Sequence, residues 1–310
     1  GSAVRRLGKA QINAATLTGT DAAGQAISLV STGPCQYGLA GETGWTTRFN
    51  VSSASMAAVH GQSTTTSERN FEFAIPEQAL PVSELAGTWN AMSWYPSATS
   101  GTRTFQPTVH ELSLTADGQV TALLNCTGLA PCTPQHPAPF SRFVPNTVDG
   151  GFDEILPSGA LWSRLFLHKT ISGSRVLVLL SPDGQFVVAA PKKPLGALPA
   201  VGDIGNWRDL LLNGDGTLAA LTEGNYTVVA VDPVVRSVSR RRASDRRVDT
   251  QLFDLPRDGL RHRALNACTI DGAPVLCAEF VQMPIGGMTI TGSVPGTPGT
   301  PFFIVSVAKP

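Results

Sequence analysis

Charge is scarce in this 310-residue chain: Lys, Arg, Asp and Glu make up 15% of it, against about 25% in ordinary soluble domains. Twenty-three basic residues balance 23 acidic ones, so no global field draws the chain toward nucleic acid or an anionic membrane. No apolar run reaches the roughly 18 residues of a membrane-spanning helix. Sustained helical periodicity is missing too; only Glu77 to Leu85 and Ile204 to Leu212 read as single helical turns. Gly-x-Ser-x-Gly is absent, which excludes a nucleophile elbow. The five histidines (His60, His110, His136, His168 and His262) are scattered singly, without His-x-His or His-Glu-x-x-His. No catalytic residue, metal site or cofactor is therefore expected.

What the chain does have is turn formers and short β segments. There are 31 Gly and 23 Pro. Segments such as Phe71-Glu72-Phe73-Ala74-Ile75, Tyr226-Thr227-Val228-Val229-Ala230-Val231 and Phe303-Ile304-Val305-Ser306-Val307 are rich in β-branched and aromatic residues. Most are bounded by Gly, Pro, Asn or Asp, the pattern of strands. Asp-Gly recurs at 117–118, 149–150, 183–184, 215–216, 258–259 and 271–272, a strong hairpin signal. The chain is expected to be all-β, in two or three tandem antiparallel β-barrel or β-sandwich modules. The alternative is a β-propeller, although the first three Asp-Gly intervals are regular but short for blades of about 40 to 50 residues, and the first hundred residues have no Asp-Gly.

Four of the five cysteines form two close pairs, Cys126 with Cys132 and Cys268 with Cys277, leaving Cys35 alone. A two-residue turn at Gly272-Ala273 would set Cys268 opposite Cys277 on a close pair, where a disulfide fits; Pro274 lacks the N–H that would close this turn, so a longer loop is the alternative. Neither pair is a Cys-x-x-Cys, so zinc is not expected. Two bridges imply an oxidising compartment. The chain opens Gly1-Ser2-Ala3, leading to the expectation that a targeting segment or lipid anchor has been cut away.

Self-comparison finds one repeated phrase. Leu80-Pro81, followed by Gly87-Thr88-Trp89, returns as Leu198-Pro199 and Gly205-Asn206-Trp207, and only five Trp occur in the chain. Modules of 1–79 (shorter and divergent), 80–197 and 198–310 follow, the last being a second copy of the one before it. An opening of Leu85-Ala86-Gly87-Thr88-Trp89, then a strand and an Asp-Gly hairpin, resembles tandem lipocalin-like (calycin-type) barrels of bacterial envelope proteins. The resemblance implies that Trp89 and Trp207 plug one end of each barrel. It also implies a periplasmic, outer-membrane-anchored or secreted bacterial protein, including lipoproteins.

The sharpest local feature is the basic run at 236–247, with six Arg in twelve positions. Arg240, Arg241, Arg242, Arg246 and Arg247 form a candidate anion-binding set. No aromatic is interleaved for base stacking, so nucleic acid is not a partner. The expected function is non-catalytic: binding of a small hydrophobic or anionic ligand, or of an envelope protein partner. Two alternatives stand beside it, a structural or adhesin-like surface protein and a glycan or ester hydrolase with a site assembled only by the fold.

Overall fold

A computed structural model describes residues 8–99, 102–135, 140–181, 185–212, 218–294 and 301–309. His136, Asp183-Gly184 and Asp215-Gly216 lie outside the described residues. The described strands form three antiparallel sheets that follow one another along the chain.

The first sheet is a seven-strand meander in sequence order. It holds β1 (Gln11–Asn13), β2 (Thr18–Thr20), β3 (Ala26–Gly33), β4 (Gln36–Leu39), β5 (Trp45–Val51), β6 (Ala57–Ser63) and β7 (Arg69–Ala74). A 3-10 turn at Val82–Leu85 then leads into the second sheet.

That sheet contains β8 (Gly87–Thr99), β9 (Thr102–Leu114), β10 (Val120–Cys126), β11 (Thr133–Pro134) and β12 (Arg142–Pro145). It continues with β13 (Phe152–Ile155), β14 (Leu161–Lys169), β15 (Arg175–Leu180) and β16 (Phe186–Pro191). β16 returns to pair with β8. The far edges meet where Gln119 bridges Arg142, with Val120 N donating to Ser141 O (3.0 Å) and Phe143 N to Gly118 O (2.9 Å). Gly118 makes that approach possible: its φ is +85°, and an added Cβ would lie 2.3 Å from Phe143 O.

The third sheet runs through β17 (Ile204–Leu212), β18 (Leu218–Asp232), β19 (Ser237–Arg242), β20 (Val248–Phe253) and β21 (Arg261–Arg263). After a short hairpin of β22 (Cys268–Ile270) and β23 (Ala273–Val275) come β24 (Phe280–Ile285), β25 (Met288–Ser293) and β26 (Phe303–Ala308). β26 pairs back onto β17, and β19 pairs with β20 over five residues, so eight strands close into a barrel. The chain is all-β and multi-barrel, not a propeller. The second and third sheets turn back on their own strands instead of contributing blades to a common axis.

Two local expectations are corrected. Residues 204–212 are strand β17, not a helical turn, because Arg208, Leu210 and Leu212 alternate with more exposed neighbours and pair on both sides. The turn near the second cysteine pair lies at Asp271-Gly272, not Gly272-Ala273. Both residues have positive φ (49° and 84°), which Asp-Gly accommodates best. Cys268 therefore faces Val275, yet its Sγ still joins Cys277, with the Cα atoms 6.2 Å apart. Cys126 and Cys132 are also joined, and Cys35 is free and exposed.

One apolar core knits the modules together. Ala54, Met56 and Ala58 of the first meet Met92, Trp94 and Val109 of the second and Leu210, Ile290, Phe303 and Val305 of the third. A separate core fills the second barrel: Trp89, Leu114, Phe143, Phe152, Leu165, Leu167 and Leu177.

Candidate binding site

Strand pairing fixes which side chains share each barrel's interior, because paired residues project to the same face. In the second barrel that face is mostly apolar. Trp89 is fully buried; its indole N–H donates to Leu85 O at 2.8 Å and the Arg175 guanidinium lies 5.1 Å from its ring. Arg175 in turn donates to Glu84 O and Ala86 O, so it ties the Trp89 ring to the 3-10 turn.

Deeper in the same interior, His110 Nε2 contacts Thr108 Oγ1 (2.8 Å) and Ser93 Oγ (3.2 Å), with Asn125 paired opposite. Burial holds the His110 imidazole down to about 4, so it is neutral. No carboxylate hydrogen-bonds it among the described residues. This is a hydrogen-bonded polar knot, without the third group that orients a nucleophile's base.

The third barrel is built the other way round. Leu210, Leu212, Met283, Ile290, Val305 and Val307 belong to the shared core and face outward against the neighbouring modules. The inward face carries polar residues, Asp209, Tyr226, Arg240, Asp249, Gln251, Arg261, Arg263, Gln282, Thr291 and Ser306, interleaved with apolar ones such as Leu211, Phe280 and Ile304. Pairing places all of them on one face. Leu195 and Leu198 of the linker pack on Val228, Val238 and Phe253, an apolar cluster within this barrel.

The interior charges are arranged around Asp249, which is 5% exposed. Arg240 donates to it through Nε (3.1 Å) and a terminal nitrogen (3.0 Å), and Arg263 reaches it at 3.4 Å. Burial alone would push the Asp249 carboxyl up; the charges and hydrogen bonds of Arg240, with Arg263 and Arg247, outweigh it and hold the group below its ordinary value. Three interior arginines also cover an aromatic ring: Arg240 over Tyr226 (4.7 Å), Arg261 over Phe253 (4.4 Å) and Arg263 over Phe280 (4.0 Å).

The basic run is thus divided between the two faces of β19. Arg240 and Arg242 face inward, and Arg242 pairs with Asp245 at the strand end. Arg241 is exposed on the outer face, Arg246 pairs with Asp271 at the surface (2.8 Å), and Arg247 is half-buried. Reading the run as one patch missed Arg261, Arg263, Asp249 and Gln251. The period-2 alternation of 248–253 and 261–263 was the available signal, but these stretches are too short and too mixed to stand out. Trp207 shares with Trp89 a place on the interior face of its module's first strand, yet it is only half-buried.

No protein-family model and no curated protein matches the chain. Among solved structures it is similar to a protein of unknown function from the DUF3598 family of Nostoc punctiforme PCC 73102. The identity is 11%, over 76% of this chain and 99% of that one, with a TM-score of 0.25. It is similar as well to isotype 1 transferrin binding protein B from serogroup B Neisseria meningitidis, at 13% identity, 92% and 58% coverage and a TM-score of 0.27. A double mutant of transferrin binding protein B from Haemophilus parasuis Hp5 gives 9%, 96%, 64% and 0.22. The chain spans 58% and 64% of the length of these two binding proteins. Likeness this loose carries no argument about ligand or partner.

Proposed function

We propose that this chain is a non-catalytic binding protein of the bacterial envelope or exterior, with its ligand site in the lumen of the third barrel. The observation that carries the reading is the inversion of that barrel. Apolar faces normally turn inward, and buried polar groups are unfavourable without partners. A lumen lined by Asp209, Arg240, Asp249, Gln251, Arg261 and Arg263 is therefore a specific arrangement that bulk stability does not require. Two disulfides support an oxidising compartment. No helix among the described residues is long and apolar enough to cross a membrane.

In the same reading the modules span 1–79, 80–197 and 198–310. The third is a copy of the second that has exchanged a filled interior for a polar one. The second barrel, packed around Trp89, serves as scaffold, which favours a structural role for that module alone.

Native mass spectrometry of protein purified from its own host tests the proposal. A bound mass that leaves on unfolding supports it. Identical native and denatured masses, together with no thermal shift from any small ligand, remove it.

A further inference from the structure

The third barrel holds more positive charge than its own carboxylates neutralise. Four arginines face its lumen by register, Arg240, Arg242, Arg261 and Arg263, alongside two carboxylates, Asp209 and Asp249. Asp249 is shared by Arg240 and Arg263, and Arg242 turns to Asp245. Asp209 is bonded to Ser306, and burial raises its carboxyl above its ordinary value against the pull of Arg240 and Arg242.

Arg261 is left over. Its Nε is buried and has no hydrogen-bond partner. Asp254, the acid whose charge acts on it, is already engaged. One Asp254 oxygen accepts from Leu195 N (2.7 Å) and Gly259 N (3.0 Å), and the other from Arg236 Nε (3.0 Å). Phe253 offers Arg261 a ring face but no acceptor in the plane of the guanidinium.

A second orphan faces the same lumen. Gln251, 0% exposed, donates through its amide to Gln282 Oε1 (2.9 Å), but its own Oε1 has no partner. Gln282 is the residue paired directly with Arg261, so the unused donor and the unused acceptor are one side chain apart.

Buried charges persist when something pairs them, and a guanidinium is matched in shape and charge by an oxyanion. We infer that the lumen of the third barrel seats an oxyanion, a phosphate or carboxylate group, against Arg261, with Gln251 Oε1 accepting an O–H or N–H carried by the ligand; Arg263 is already engaged by Ala278 O and Asp249. The inference rests on the lumen reading above and adds the ligand's chemistry to it. It also separates Arg261 from the basic run, whose Arg241 and Arg246 point away from this space.

Calorimetry on the full chain, with sodium phosphate and sodium sulfate as probes at fixed ionic strength, tests this. Hydrogen phosphate carries the donor that Gln251 needs and sulfate does not, so phosphate binds more tightly. Acetate and a hydroxy acid such as lactate form the carboxylate arm and report whether the source is a carboxylate. Arg261→Met loses about tenfold or more of the affinity. Arg241→Met, on the outer face, loses none. Arg261→Met also melts higher than wild type in anion-free buffer, because an unpaired buried charge has gone, which shows that the variant is folded.

Wild type that binds none of the four probes overturns the inference, and so does a phosphate signal unchanged in Arg261→Met. A neutral ligand found by native mass spectrometry, with no response to any anion, removes the oxyanion while leaving the lumen as a binding site.

Discussion

Replacing Asp249 by Asn is the most informative single change to the third barrel. The side chain keeps its size and loses its charge, while Arg240 and Arg263 lose the carboxylate that both engage, at 3.0 to 3.4 Å. Asp249 is 5% exposed and the Arg263 side chain 6%, so water replaces little of what is removed. Breaking a buried pair from one side costs about 3 to 5 kcal/mol. Here two cations are stranded beside Arg261, whose Nε already lacks a hydrogen-bond partner, which puts Asp249→Asn at the upper part of that range. Guanidinium denaturation followed by tryptophan fluorescence measures it, with each transition fitted separately because a three-module chain need not unfold in one step. The pH dependence has a fixed sign. The folded carboxyl is held below its unfolded value of about 4, so its stabilisation is complete above pH 4 and is lost as pH falls through the lower folded value. Asp249→Asn abolishes that acid-side slope. A loss within about 0.5 kcal/mol of Arg241→Met, an exposed control, would refute the view that these charges are mutually dependent inside a closed barrel.

Trp89→Ala removes a fully buried ring from the core of the second barrel and costs about 3 to 5 kcal/mol, and Trp89→Phe about 1 to 2, chiefly through the unsatisfied Leu85 carbonyl; urea denaturation compares the two. His110 is held down to about 4 while its unfolded value is about 6.5. The unfolded chain therefore takes up the proton first, and stability falls by about 3 kcal/mol as pH drops from 6.5 to 4; His110→Gln flattens that slope in pH-dependent melts. Alkylation of unfolded, unreduced protein labels Cys35 alone, and prior reduction exposes all five cysteines; peptide mass spectrometry that finds further free thiols without reductant would contradict both bridges. Gly118→Ala, which drives a Cβ into Phe143 O where the second sheet meets itself, lowers stability by about 1 to 3 kcal/mol, measured by thermal melting.

Much of the fold was legible because its local signals are strong. Asp117-Gly118 turns β9 into β10, Asp149-Gly150 lies between β12 and β13, and Asp271-Gly272 joins β22 to β23. Each needs positive φ at glycine, a requirement written in one dipeptide. The strand 204–212 was missed because Trp207-Arg208-Asp209-Leu210-Leu211-Leu212 has an apolar run that blurs the alternation. The cysteine turn was misplaced by one residue because Gly alone was weighed, while Asp271 also adopts positive φ.

What the sequence by itself determined is therefore the class of backbone: short strands, tight turns, thiols spaced to join, and no periodicity for helices. Tertiary structure alone decided which face of each strand became an interior. Alternation with a period of two is unchanged when the two faces are exchanged, so Asp249-Thr250-Gln251-Leu252-Phe253 reads the same for a barrel lined by polar or by apolar groups. The choice was made by packing. Met92 and Trp94 of one module and Ala54 and Met56 of another cover the outer face of the third barrel, and that cover leaves Arg261 on the inside, with a buried Nε that no acceptor among the described residues meets.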